Sequence, residues 1–177
     1  MPSMITKIVE LSYSDKYFAV VSEERNSDDK IRVYSLKDAL AWGVRTVKDG
    51  EKKEFPAPIH EITAPRDHVV NSLKWGALDK HLYYCTDKGR LIKYSLEDKS
   101  PAIVKDVHNN EIFSVDITRD FTMLFTSSRD GLCKLLHPDT FEEVRRFDHQ
   151  FPVRNSCVSP LYDAEHNQKF HLLVCGG

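Results

Sequence analysis

The sequence predicts an all-β protein, and three observations predict it. Apolar runs are short, four to six residues long, and rich in β-branched and aromatic side chains. The segments between them are turn-forming, with Asp, Gly, Ser and Lys prominent. Helical periodicity is nearly absent, the stretch Leu36 to Val47 being the one candidate. Of the 177 residues, 41% are hydrophobic and 29% charged, which supplies a core of ordinary domain size and excludes disordered, collagen-like and low-complexity classes.

Taken in order, Val9-Glu10-Leu11, Phe18 to Val21 and Ile31 to Ser35 read as the first three strands. A polar turn from Glu23 to Asp29 separates the second from the third. An insertion, Ala39 to Pro58, follows; it closes on Phe55-Pro56-Ala57-Pro58, and its length predicts disorder. Its mixed-sign stretch Lys48 to Glu54 reads as a solvated loop. Ile59 to Ile62 supplies a fourth strand.

The pattern then recurs. Val70 to Trp75, Leu82 to Cys85, Leu91 to Ser95 and Ala102 to Val107 match Ile112 to Ile117, Leu124 to Ser127, Cys133 to His137 and Glu143 to Phe147. Trp75 to Tyr94 and Ile117 to Leu136 are both 19 residues, and equivalent positions lie 42 apart. In the first copy the matching interval, Leu11 to Tyr34, is 23. A further copy opens at Val153 and Val158, each 41 residues after Ile112 and Ile117. Four short strands every ~42 residues are the period of a propeller blade. One such sheet cannot cover both of its faces, so blades stabilise one another by stacking.

The expected organisation is one propeller fragment over residues 1–177. Its blades are 4–66, with insertion 39–58, then 67–107, 108–149 and a partial fourth at 150–177.

Charge and composition exclude other classes. Lys plus Arg number 25 against 27 Asp plus Glu, so no basic footprint for nucleic acid is present and no direct nucleic-acid binding is expected. No run approaches ~18 apolar residues and no signal core follows Met1, so neither a membrane span nor secretion is predicted. Cys85, Cys133, Cys157 and Cys175 each sit in an apolar run without Cys-x-x-Cys spacing, which reads as buried reduced thiols of a cytoplasmic protein.

Several residues then resemble WD-repeat proteins. His108 stands four residues before Ile112 and His149 four before Val153, the family's spacing for its Gly-His dipeptide. Ser128-Arg129-Asp130 matches the family turn, and Lys134-Leu135 begins its Lys-Leu-Trp-Asp ending. Val107 and Asp148 replace the Gly, and Tyr34-Ser35, Tyr94-Ser95 and Leu136-His137 replace Trp-Asp. The stretch Val115 to Asp130, with Pro152 to Ser156, Val158-Ser159-Pro160 and Val174 to Gly177, resembles the WD-repeat i-subunit family of eukaryotic translation initiation factor three, also described as TGF-β receptor interacting proteins. The likeness runs best over Ile112 to Gly177 and weakly upstream to about Val9.

That resemblance implies an incomplete WD-repeat β-propeller: three four-stranded blades plus part of a fourth, out of an expected seven. Gly176-Gly177 falls where Ser127-Ser128 stands, so an open arc with exposed blade edges that pair with another chain is expected.

In such blades a His at position 108 and an Asp at position 130 staple strands by hydrogen bonds rather than act as a catalytic dyad. His108, Ser128, Asp130 and His149 are therefore the structural residues, with His149 the less well held because its Asp partner would lie beyond Gly177. The resemblance also implies a non-catalytic scaffold that assists mRNA recruitment to the small ribosomal subunit, contacting it indirectly, with b-type and g-type subunits as partners. It places the contact surface on Asp116, Arg119, Asp120, Arg129 and Asp130. Each of these also has a reading as a solvated or turn-forming residue. The stretch Lys48 to Glu54 then has ribosomal RNA or a neighbouring subunit as its alternative reading, and Arg145-Arg146, if they bind, imply an acidic partner.

Catalysis, cofactors and metals are not expected. His60, His68, His81, His137, His166 and His171 show no zinc spacing. With 7 Gly, of which Gly176 and Gly177 are the one adjacent pair, no phosphate loop or dinucleotide fingerprint can be written. A propeller hydrolase would need acidic or His residues at inner-strand starts, where Thr6, Val70, Ile112 and Val153 stand. A different cytosolic WD-repeat adaptor, of receptor-signalling or coat-complex type, is the alternative reading.

Overall fold

A computed structural model of the chain describes residues 4–24, 27–44, 54–159 and 173–176. It divides into two units, Met1–Asp67 and His68–Gly177, each described by itself.

The first unit is a four-stranded antiparallel sheet ordered β1-β2-β3-β4, with β1 Met4–Leu11, β2 Tyr17–Glu24, β3 Lys30–Ser35 and β4 His60–Thr63. Ala19, Val21, Ile31, Val33 and Ile62 are buried. Between β3 and β4 runs helix α1, Leu36–Val44. Its start follows from Ser35, whose hydroxyl accepts the Asp38 N–H at 3.2 Å as an N-cap. The helical candidate Leu36 to Val47 is thus helical over Leu36–Val44, which corrects the disorder expected for residues 39–44, and Phe55 returns to stack its ring edge-on against Trp42 and Tyr34 at 5.1 and 5.3 Å. Aromatic packing at the ends of the insertion is what a length-based expectation overlooks. Residues 45–53, most of the mixed-charge stretch included, lie outside the described residues.

The second unit holds two full blades and part of a third. The strands are β5 Val70–Trp75, β6 His81–Thr86, β7 Arg90–Ser95 and β8 Ser100–Asp106, then β9 Ile112–Ile117, β10 Leu124–Ser128, β11 Leu132–Leu136 and β12 Glu143–Asp148. β13 Asn155–Val158 pairs antiparallel with β14 Leu173–Gly176. Each full sheet runs in chain order from first strand to fourth, all antiparallel. Across the chain this is a WD-repeat β-propeller fold with three four-stranded blades and two strands of a fourth among the described residues.

Burial follows strand position. All five residues of β10 are buried, whereas β8 and β12, the outermost strands, are mostly exposed. A middle strand is covered on both faces by its neighbours, so even Thr126, Ser127 and Ser128 of β10 are buried. Between the second and third blades Cys85, Leu91, Ile112, Leu124, Leu136 and Phe141 form one core. Between the third blade and β13–β14 a second core holds Phe125, Cys133, Leu135, Val153 and Val158. On the rim, Arg145 lies over the Phe147 ring at 5.3 Å and Arg146 pairs with Glu143 at 2.7 Å.

The cysteine expectation is corrected in part. Cys85 and Cys133 are buried, but Cys157 is exposed and Cys175 half-buried. Along β13 the buried residues are Ser156 and Val158, so Cys157 points to the opposite face, which no described strand covers.

Candidate functional site

The histidine at the entrance to the third blade, His108, is held by two turns and one strand. Gly89, in the turn between β6 and β7, accepts the Val107 and His108 N–H groups on its carbonyl at 3.0 and 3.2 Å. That places the His108 ring inside the blade with its side chain fully buried. Nδ1 lies 3.0 and 3.2 Å from the Asp130 oxygens and Nε2 2.9 Å from the Thr126 hydroxyl. Burial pushes the His108 pKa down, and the Asp130 charge only partly offsets it. The ring is thus neutral near pH 7, donating from Nδ1–H to Asp130 and accepting the Thr126 hydroxyl proton at Nε2.

Asp130 is fixed from several directions. It accepts the Leu132 N–H at 3.0 Å and the Asn109 N–H at 3.1 Å. Burial raises its pKa, but His108 and these two N–H groups outweigh that and hold the carboxyl below its usual range. Ser128 completes the turn: its hydroxyl donates to the Glu111 carbonyl at 2.8 Å and accepts the Asp130 N–H at 3.1 Å. The His108 side chain and Thr126 are both fully buried, so this Asp–His–Thr relay ties the turn after β10 to the blade from the inside.

His149 opens the next repeat. Its N–H donates to the Gly131 carbonyl at 2.9 Å, as His108 does to Gly89. Its Nε2 lies 3.2 Å from Cys175 Sγ. Cys133 lies close by, and the donor atoms of Cys133, His149 and Cys175 are all within 4.8 Å of one another. Burial, followed by the neighbouring Cys175 thiol, pushes the Cys133 thiol up to about 12.

The five expected contact residues are not gathered into one patch. Arg119 and Asp120 lie in the turn before β10, Arg129 and Asp130 in the turn after it, at opposite ends of the strand. Asp116 bridges blades: Oδ2 accepts the Val158 N–H at 2.8 Å and Oδ1 lies 3.9 Å from Lys74 Nζ. Asp120 caps its own turn through Thr122. Arg119 and Arg129 are exposed, Arg129 lying 3.6 Å from Glu111.

Sequence reasoning missed Thr126, Cys133 and Cys175 as partners of the histidines. The signal for Thr126 was its place two residues before Ser128, on the same side of the strand.

Repeated four-stranded blades with a buried His–Asp staple define the class, a WD-repeat β-propeller protein. The structure matches a chain in the crystal structure of the mitotic checkpoint complex with a TM-score of 0.73 at 12% identity, covering 98% of this chain and 46% of that one. No protein-family model matches the chain. Among curated proteins, it is 31% identical over 133 residues to eukaryotic translation initiation factor 3 subunit I of Xenopus tropicalis, covering 74% of this chain and 38% of the relative. The subunit I of Bombyx mori is 28% identical over 133 residues (75% and 37%), and that of Homo sapiens 29% over 111 residues (63% and 32%). The chain thus spans about a third of the length of the relatives it matches.

Proposed function

We propose that the chain works as a protein-interaction scaffold within translation initiation factor 3, in the cytoplasm and without catalysis. One observation carries the reading: the likeness to subunit I extends over 133 residues, so it spans successive blades rather than one motif. The full burial of the His108 side chain and of Thr126 inside the blade supports a non-catalytic role, since no substrate reaches them. Propellers without a reactive centre act through their loops and blade edges. In this reading the chain contacts the b-type and g-type subunits and assists mRNA recruitment to the small ribosomal subunit. Arg119, with Asp120 beside it, and Arg129 at the other end of β10 are the contact residues best placed to reach a partner, while Asp116 and Asp130 hold the blades that present them.

The test is retention of purified b and g subunits on immobilised chain. Retention of either, weakened several-fold by Arg119→Glu with Arg129→Glu, is the expected result. Retention of neither by folded chain overturns the reading and leaves another WD-repeat adaptor.

A further inference from the structure

Two blade seams in the second unit are built on the same plan but from different atoms. At the seam between the second and third blades the equivalent places hold Leu91, His108 and Thr126. At the next seam they hold Cys133, 42 residues after Leu91, and His149, 41 after His108. Cys175 completes the set: it pairs with Ser156 across β13–β14 as Thr126 pairs with Val115 across β9–β10, and Ser156 is 41 residues after Val115. The hydrogen bond from Thr126 to His108 thus becomes a contact between Cys175 and His149 at 3.2 Å. An aliphatic side chain has become a second thiol facing both.

We propose that Cys133, His149 and Cys175 form a binding site for a thiophilic divalent metal ion of the zinc class at the seam between the third and fourth blades. Two thiols and an imidazole are the donor types that zinc selects. Their donor atoms lie within 4.8 Å of one another. Tetrahedral zinc, with bonds of about 2.3 Å to sulfur and about 2.0 Å to nitrogen, sets neighbouring donors about 3.5–3.8 Å apart, so a small closure of the seam completes the site. Binding releases the thiol protons, and two thiolates neutralise the dication in a partly buried setting.

A second observation points to the same place. Among the buried side chains of the described residues, the hydroxyls of Ser127 and Ser156 have no hydrogen-bond partner. Ser127 is the cross-strand neighbour of Cys133, and Ser156 that of Cys175. Cross-strand neighbours share a face of the sheet, so both orphaned hydroxyls lie on the faces that carry the thiols. Three protein ligands leave a fourth position for water, and these hydroxyls are suited to hold that water. The zinc expectation from the sequence examined spacing along the chain, whereas these ligands come from one strand of the third blade, the turn that follows that blade, and one strand of the fourth.

Titration of the reduced 177-residue chain with Co2+, followed by competition with Zn2+, tests the site. The expected result is one ion per chain, with a thiolate-to-cobalt charge-transfer band that Zn2+ abolishes. Cys157→Ser, on the opposite face, retains the band. Cys133→Leu and Cys175→Thr install the residues that the neighbouring seam uses, so they keep the fold by circular dichroism, and each loses the band with about 100-fold or greater loss of affinity. Absence of the band in the reduced wild-type chain overturns the proposal, as does unchanged affinity in both folded variants. A Cys133–Cys175 disulfide that persists in reductant and excludes the ion also overturns it.

Discussion

Gly89 shows how one residue positions a site 19 positions further on. Its φ is +79°, a left-handed conformation, and an added Cβ would stand 2.2 Å from the His108 carbonyl oxygen. The close approach is what lets its own carbonyl receive the Val107 and His108 N–H groups. Gly89→Ala therefore combines backbone strain of about 1–2 kcal/mol with a backbone clash that cannot relax by turning a side chain. Gly43, in α1, has open space around its Cβ position. Gly43→Ala is expected to be neutral or to stabilise by up to about 1 kcal/mol. Urea unfolding of the two variants checks the contrast: the Gly89 variant unfolds at clearly lower urea, the Gly43 variant does not.

The strands pack as a polar seam as well as an apolar one. Asn71 donates to the Ile112 carbonyl at 3.0 Å, Ser114 to the Ser156 carbonyl at 3.2 Å, and Asp116 accepts from Val158 at 2.8 Å. Replacing Asp116 by Ala leaves the Val158 N–H without its partner, which costs about 1–3 kcal/mol if the group stays dry. Amide exchange checks this element by element: Val158 loses protection in Asp116→Ala, while Phe125 and Thr126 in β10 keep theirs.

These seam bonds explain what was legible in the sequence. Strands β5 to β12 could be read because a strand's apolar run is local and recurs every 42 residues. His108, Ser128 and Asp130 could be placed because they sit at the ends of those runs, where turn chemistry is visible. Asp116 reads as an exposed acid because its partner is one whole repeat away, and neither alternation nor spacing reports a contact between sheets. Cys157 reads as buried because periodicity does not tell which face of β13 has a neighbour. The helix Leu36–Val44 falls inside the one helical run read from the sequence, Leu36 to Val47, whereas the return of the Phe55 ring onto Trp42 lies beyond the reach of any local window.

At the scale of the molecule, buried titratable groups give stability a definite pH profile. His108 and His81 are both pushed below the ordinary histidine value of 6.5, by burial first. The unfolded chain then binds more protons than the folded one below about that pH, so stability falls as acid is added. Asp130, held below 3.8, contributes stability that is lost at still lower pH. On the alkaline side burial raises Tyr84 to about 12, so the unfolded chain ionises first and stability falls above pH 10. Lys7 is raised too, the Asp29 and Glu23 carboxylates outweighing its burial, and its contribution disappears as pH rises through that raised value. Urea midpoints are expected to form a plateau between about pH 7 and 10. His108→Gln lowers the plateau and flattens the acid limb around pH 6.5. A midpoint that rises on acidification from pH 7 to 5 contradicts this account.

The seams also have a direction. Asp116 and Ser114 belong to the third blade and bond backbone groups of a strand about forty residues later, as Asn71 of the second blade does toward the third. Within the second unit, each of these two full sheets therefore offers the strands that follow it a row of acceptors and donors that is complete before they are synthesised. That unit can assemble in the order in which it is synthesised, each sheet in it acting as the template on which its successor settles.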